Sequence, residues 1–183
     1  MRARRDMPFM RRLRAVALAC GVLISIPSFG ADPAEPPASD LPKLQWVYTA
    51  TVAIAPIEQV GPVRNGMQRI IPITGGTFEG PHIRGTIVPG SADWNLLRAD
   101  GASTAEAYYF MRTDDGVVIK VINRAVIPAP KKDEPPPSRL AVTSPVFEAP
   151  QGKYDWLNDA VHVGTLSVKP GVGTVIIRVY RAM

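Results

Sequence analysis

The chain has few of the side chains on which metal and thiol chemistry depend. Its 183 residues include one cysteine, Cys20, and two histidines, His82 and His162. A single thiol cannot form an intramolecular disulfide or a thiolate metal site, and two histidines argue against a histidine-rich zinc centre. No G-x-S-x-G elbow or H-E-x-x-H motif occurs. The sequence therefore predicts a protein that is stabilised by core packing and holds neither metal nor other cofactor.

Long apolar runs are also missing, and the clearest one lies in a segment typical of an export signal. Several arginines precede apolar residues 15–26, and Ser28-Phe29-Gly30 provides a cleavage site. The apolar run is shorter than the ~18 residues that a membrane helix needs. Cys20 loosely fits a lipoprotein cleavage box, but apolar residues continue beyond it, so we favour a plain secretory signal over residues 1–30. We expect a periplasmic or secreted protein without membrane association after the signal is removed.

The excess of basic side chains is confined to this leader. The whole chain has 21 Lys and Arg against 16 Asp and Glu, a formal charge of +5. Residues 1–30 contain six of the basic side chains and one of the acidic ones, which leaves fifteen of each in the remainder. A strongly basic domain would suggest a nucleic-acid partner, but this remainder is formally neutral. We therefore expect no nucleic-acid partner, and no cysteine nucleophile either, because Cys20 also lies in the leader.

Helical periodicity is nearly absent, whereas glycine-containing turns alternate with short runs of strand-like residues. This pattern favours an all-β fold, either a sandwich or a small closed antiparallel β-barrel of about 8–9 strands, and closure is the simplest way to remove exposed edges. Residues 31–43 are predicted to be a disordered, proline-rich spacer, and one domain is predicted over 44–183 with an exposed proline-rich loop at 128–138. Strands are predicted over residues 44–54, 67–73, 77–88, 93–98, 105–113, 117–123, 139–147, 161–168 and 174–181.

The order of short motifs along this domain resembles a known family. The series consists of Gly75-Gly76-Thr77-Phe78-Glu79-Gly80-Pro81, Gly85, Gly90, Asp93-Trp94, Asp100-Gly101, Asp115-Gly116, Phe147-Glu148, Tyr154 and Trp156-Leu157-Asn158. It is similar to the domain-of-unknown-function 3237 family, also called uncharacterised protein family 0311, over residues 44–181. The resemblance implies a compact barrel of the allene oxide cyclase and dirigent group. It implies no catalytic residue, because that family has no settled activity.

Alternation along the predicted strand 77–88 places Glu79 inside the barrel. The more apolar face of this strand carries Thr77, Glu79, Pro81, Ile83, Gly85 and Ile87. A carboxylate near the barrel mouth would suit general acid or base chemistry. The structural alternative is that Glu79 pairs with an arginine or caps amides beside the Gly75-Gly76 turn. The same alternation predicts that His82 and His162 point outward.

Four further residues would complete an interior pocket: Trp94, Tyr108, Arg112 and Asn123. Trp94 shares the face of Glu79 if a turn over residues 89–92 pairs the two flanking strands, and it is then a pocket wall or plain core. Tyr108, Arg112 and Asn123 would supply polar groups among apolar walls, as in a small-molecule pocket. Tyr109 and Met111 form an equally plausible inward face, which would turn Tyr108 and Arg112 outward.

Three functions remain compatible with these residues. The leading hypothesis is a barrel that holds a small, largely apolar molecule in its interior. The second is an isomerase, cyclase or dehydratase that uses Glu79 as acid or base, with Tyr108 or Asn123 stabilising developing charge. The third is a packed structural or interaction domain whose proline-rich loop contacts a partner. An interior cavity of about 300 to 1,000 Å³ lined by Glu79 would favour the first two.

Overall fold

The computed structural model describes residues 35–130, 140–169 and 173–183. The predicted signal at residues 1–30 and most of the predicted loop at 128–138 lie outside the described residues. A short 3₁₀ helix, Ala38–Asp40, begins the compact unit Ala38–Met183. A second 3₁₀ helix, Asp155–Leu157, is equally short, and no helix in these ranges is long and apolar enough to cross a bilayer.

Ten strands make up most of the described residues, and every pairing between them is antiparallel. Their bounds are β1 Leu44–Ile54, β2 Glu58–Val63, β3 Gly66–Glu79, β4 Arg84–Ile87, β5 Ser91–Arg98, β6 Ser103–Thr113, β7 Val118–Ile127, β8 Ala141–Glu148, β9 His162–Lys169 and β10 Thr174–Ala182.

Eight of these strands close into a barrel, in the order β1-β10-β9-β8-β7-β6-β4-β3, with β3 pairing back onto β1. Strand β3 is long enough to have two sets of neighbours. Its second half pairs with β1 and β4, and its first half pairs with β2 and β5, which lie outside the closed ring. Closure pairs the edges that an open sheet would expose. The predicted all-β barrel with little helix is confirmed.

The predicted strand 77–88 is wrong, because the chain reverses in its middle. Strand β3 ends at Glu79, β4 begins at Arg84, and these two residues are opposite each other in the ladder. The Gly80 amide donates a 2.8 Å hydrogen bond to the Ile83 carbonyl, which closes the turn. Only glycine fits at the first turn position, since a Cβ on Gly80 would lie 1.9 Å from the carbonyl oxygen of Val47. Alternation counted through this turn therefore assigns Glu79 to the wrong face.

The barrel interior is filled by large side chains. The largest fully buried ones are Tyr48, Phe78, Met111, Ile119, Leu157, Val121 and Val179. The Tyr48 ring contacts Phe78 and Phe147 edge to face, with centroid separations of 5.6 and 6.1 Å. Leu157 belongs to the second 3₁₀ helix, so the segment between β8 and β9 packs onto the core. Packing of this kind supplies the stability for which the sequence offers no disulfide.

Candidate functional site

Four of the five predicted site residues lie on the outside of the barrel: Glu79, Trp94, Tyr108 and Arg112. The prediction that these four line an interior pocket is wrong. Glu79 is exposed because of the turn that follows it. Trp94 is 50% exposed because β5 pairs with β3 and β6, and the predicted pairing across residues 89–92 does not form. Only Asn123, at 5% exposure, faces the interior as predicted.

Strand β6 presents the alternative face that the sequence left open. Tyr109 and Met111 are 2% and 0% exposed, whereas Tyr108 and Arg112 lie on the outer face. The physical reason is that an inward Arg112 would place a charge in an apolar core, which is costly without a paired carboxylate. Tyr108 also points outward, because residues an even number of positions apart, here four, share a face of a strand.

One of the two histidines is exposed and the other is buried. His82 is exposed, as predicted, but His162 is 4% exposed and the prediction for it is wrong. Its ring packs edge-on against Phe147, with centroids 4.8 Å apart. Burial lowers the pKa of His162, so its neutral form is favoured. The prediction assumed that the flanking valines point inward, but Val161 is 72% exposed, so the inward face of β9 carries His162.

The interior offers polar atoms but little charge. Five buried side-chain atoms have no hydrogen-bond partner among the described residues: Tyr48 Oη, Tyr109 Oη, Asn123 Oδ1, Thr143 Oγ1 and His162 Nε2. Burial raises the pKa of Tyr109 to about 12 and also raises that of Tyr48, so both phenols stay neutral. No Asp, Glu, Lys or Arg in the described ranges is fully buried. Acid–base chemistry with a carboxylate is therefore better sought outside the barrel.

A groove crosses the outer face of β5, β6, β7 and β8. Its volume is about 730 Å³, and its apolar walls are Trp94, Leu96, Val126, Val142 and Val163. This volume lies within the range of roughly 300 to 1,000 Å³ that ligand pockets occupy. The small residues Ala105 and Ala125 also line it. Trp94 is thus a pocket wall, but of an outer groove.

A charged pair lines the groove beside these apolar walls. Glu106 and Arg124 are directly opposite in the β6–β7 ladder, and Arg124 Nε donates a 3.0 Å hydrogen bond to Glu106 Oε2. The Tyr108 hydroxyl donates to Glu106 Oε1 at 2.7 Å. Arg124 first and Tyr108 second lower the pKa of Glu106, which is therefore ionised at neutral pH and a weak base. The cluster is better suited to orienting a polar ligand group than to moving a proton.

A second polar network adjoins β5 and β6. The Glu106 amide donates to Asp93 Oδ1 at 2.9 Å, and burial raises the pKa of Asp93. Next to it, Arg69 Nε donates to Asn95 Oδ1 at 3.0 Å, and Arg69 Nη2 contacts both Asn95 and Ser103. Because Asn95 is buried, these bonds satisfy polar groups that would otherwise destabilise the fold.

Strand alternation did not predict Glu106 and Arg124 as site residues, although the sequence contains a signal for them. The turn around Asp115-Gly116 joins β6 to β7, and pairing outward from it brings residue 106 opposite residue 124. Opposite charges at facing positions stabilise a cross-strand pair. Counting the register from that turn would therefore have identified this pair.

Glu79 lines two outer clefts, of about 490 and 460 Å³, that are more polar than the groove. Their charges are largely paired: Arg84 bonds Asp114 at 3.1 Å, and Asp115 accepts hydrogen bonds from Lys153 at 2.7 Å and the Tyr154 hydroxyl at 3.0 Å. Lys153 is the main group that holds the pKa of Asp115 well below its usual range. The Lys153 and Tyr154 contacts join the β6–β7 turn to the segment before β9, and the Arg84 contact joins the same turn to β4. Within the described ranges Glu79 forms no ion pair, and no cluster of three potential metal ligands occurs.

Comparison with known proteins identifies relatives over most of the folded unit. Residues 42–182 match a family described as "Protein of unknown function (DUF3237)". A UPF0311 protein of Rhodopseudomonas palustris is 33% identical over 130 residues, which cover 66% of this chain and 85% of that protein. The crystal structure of a β-barrel-like protein from Acinetobacter baumannii AYE has a TM-score of 0.71 and 30% identity, covering 82% of this chain and 100% of that one. These findings confirm the family resemblance and the barrel.

One similar protein has a named activity. A hydroalkoxylation enzyme of Penicillium herquei is 30% identical over 124 residues, which cover 68% of this chain and 74% of that enzyme. Hydroalkoxylation is the addition of an O–H group across a C=C bond. A distant homologue of this chain is therefore an enzyme.

Proposed function

We propose that this chain, which belongs to the DUF3237 family, binds a small and largely apolar molecule in the outer groove of β5–β8. The observation that carries the proposal is the groove itself, whose volume of about 730 Å³ is ligand-sized and whose walls are mostly apolar. The site replaces the predicted interior pocket, because the barrel interior is filled by its own side chains.

The walls and the charged pair together define the kind of ligand. Trp94 is half-exposed and offers a large flat surface, on which an aromatic or other planar apolar body can stack. Arg124 lines the groove, and the guanidinium N–H groups that it does not use on Glu106 can donate to a hydroxyl or carbonyl oxygen of that body. We therefore infer a planar apolar ligand with one such oxygen.

Trp94→Ala should weaken the binding of such a ligand by about tenfold or more, because it removes the largest apolar wall. The neutral probe 2-naphthol, titrated calorimetrically into the folded chain, provides the measurement. Trp46→Ala is the matched control, since Trp46 is similarly exposed, at 42%, but does not line the groove. Equal losses in the two variants, or no loss with Trp94→Ala, would refute the proposed site.

A second candidate function is the addition of a hydroxyl group to an alkene, which the similarity to the hydroalkoxylation enzyme favours. In such a reaction the O–H bond of the hydroxyl breaks, its oxygen bonds to one alkene carbon and its proton ends on the other, while the groove would hold the hydroxyl near Glu106 and Arg124. The same preparation distinguishes the two functions when it is incubated with an alkenyl phenol such as 2-allylphenol. Conversion that falls about 100-fold in Glu106→Gln, with binding retained, identifies an enzyme in which the carboxylate orients the hydroxyl, whereas binding without conversion identifies a binder.

We further propose that the protein is exported. The proposal rests on the order of basic, apolar and small residues over positions 1–30. Amino-terminal sequencing of the protein recovered from the periplasm or medium should begin at or near Ala31. Recovery of the chain from the cytoplasm with Met1 intact would contradict it.

A further inference from the structure

A second pocket, of about 260 Å³, lies away from the groove. It is lined by Gln45, Trp46, Val47, His82, Trp156 and Arg181. These residues come from β1, β10, the turn between β3 and β4, and the second 3₁₀ helix. None of the six is a carboxylate, and one of them is a permanent cation.

Arg181 is held in place by neutral groups. Its Nε donates a 2.6 Å hydrogen bond to Gln45 Oε1, and its guanidinium lies over the Trp156 ring with Cζ 5.7 Å from the centroid. Arg181 forms no ion pair with any residue in the described part of the chain. By contrast, Arg84 and Arg124 each pair with a carboxylate. The Arg181 side chain is partly buried, so water screens its charge only in part. Its Nη groups still have N–H donors that a ligand can use.

The apolar residues of this pocket indicate which kind of ligand would fit beside Arg181. Trp46, Trp156 and Val47 are apolar surfaces, and two indoles in one small pocket favour a flat ring. A guanidinium presents parallel N–H groups that match the two oxygens of a carboxylate. The charge of Arg181 and the shape of the pocket therefore favour one kind of ligand, which has an anionic group at one end and a flat apolar group at the other.

We propose that this pocket binds a small aromatic carboxylate, with its carboxylate on the Nη groups of Arg181 and its ring against Trp46 and Trp156. The site is independent of the groove, because the two share no lining residue. The two sites also differ in their ligands, because the groove is proposed to bind a neutral, largely apolar molecule and this pocket a negatively charged one.

Benzoate and benzamide test the proposal, because they have the same shape and differ in charge. Calorimetric titration of the folded chain saturated with 2-naphthol, which occupies the groove, should show benzoate binding at least tenfold more tightly than benzamide, equivalent to about 1.4 kcal/mol. Arg181→Gln should remove this preference. The matched control is Arg178→Gln, an exposed arginine on the same strand that does not line the pocket, and it should leave the preference unchanged.

Equal binding of the two probes, or an equal loss in both arginine variants, would overturn the proposal. If Arg181→Gln fails to fold, two-dimensional NMR of the unsubstituted chain decides the matter. Benzoate should then shift the indole N–H resonances of Trp46 and Trp156 while benzamide leaves them in place. Benzoate shifts that avoid both indoles, up to about 10 mM probe, would refute the site.

Discussion

Replacing Gly76 with alanine should lower the free energy of unfolding by about 4 kcal/mol. Gly76 lies where β3 pairs with β1 and closes the barrel, opposite Val52. Its φ of +134° disfavours any residue with a side chain, and an added Cβ would lie 2.2 Å from the carbonyl oxygen of Thr51. Strained backbone costs about 1–3 kcal/mol, and forcing the two strands apart costs a similar amount.

Gly90→Ala separates these two causes. Gly90 also has a positive φ, +95°, but an added Cβ would meet nothing within 4 Å. This variant should lose only about 1–2 kcal/mol, the cost of the backbone conformation alone. Urea unfolding of both variants measures the difference. Equal losses would show that the close approach of β3 to β1 is not needed for closure.

Phe78→Ala should destabilise the fold by about 3–5 kcal/mol, the usual cost of removing a buried phenylalanine. The Phe78 side chain is 2% exposed and packs against Tyr48 in the centre of the core. Its neighbour Glu79 points outward, so Glu79→Ala is the matched control and should change stability by no more than about 0.5 kcal/mol.

The comparison tests the turn that reverses the chain after β3. If the strand ran unbroken through residues 77–88 with Glu79 inward, the order of the two effects would change. A larger loss from Glu79→Ala than from Phe78→Ala in thermal or urea unfolding would contradict the assigned faces.

Strand periodicity was enough to predict the architecture, because alternation and turn residues are local signals. The first strand was predicted to begin at Leu44 and does so. Helical periodicity is nearly absent from the sequence, and the segment between β8 and β9 contains a single 3₁₀ turn, Asp155–Leu157. Strand β2 was missed. Its sequence Glu58-Gln59-Val60-Gly61-Pro62-Val63 contains Gly and Pro and no apolar alternation, and only pairing with β3 makes it a strand.

The faces of the strands were harder to predict than the strands themselves. A strand's inward set changes whenever a turn is misplaced, and the Gly80-Pro81 dipeptide, which marks the turn after Glu79, was counted as part of the predicted strand 77–88. Tyr108 and Tyr109 are adjacent and chemically alike, so nothing local decides between them. Their orientation follows from Arg112, whose charge the core excludes.

The groove could not be predicted from alternation alone, because it depends on which strands are neighbours. Trp94 and Val142 line one surface although they are far apart in sequence, and β5 reaches that surface by pairing with both β3 and β6. Pairing between strands that are far apart in sequence does not change the alternation of apolar and polar residues within either strand, so alternation cannot reveal it. Of the groove residues, only the pairing of Glu106 with Arg124 could have been predicted from the sequence, because it follows from the register of the β6–β7 hairpin.

The most direct test of the proposed groove is to map where a planar apolar molecule binds. In a two-dimensional NMR titration of the folded chain with 2-naphthol, the largest shifts should appear at the Trp94 indole and the methyl groups of Leu96, Val126 and Val142, which line the groove. The buried Met111 and Ile119 should remain unchanged. Largest shifts at Met111 and Ile119, with none at Trp94, would place the ligand inside the barrel and contradict the account.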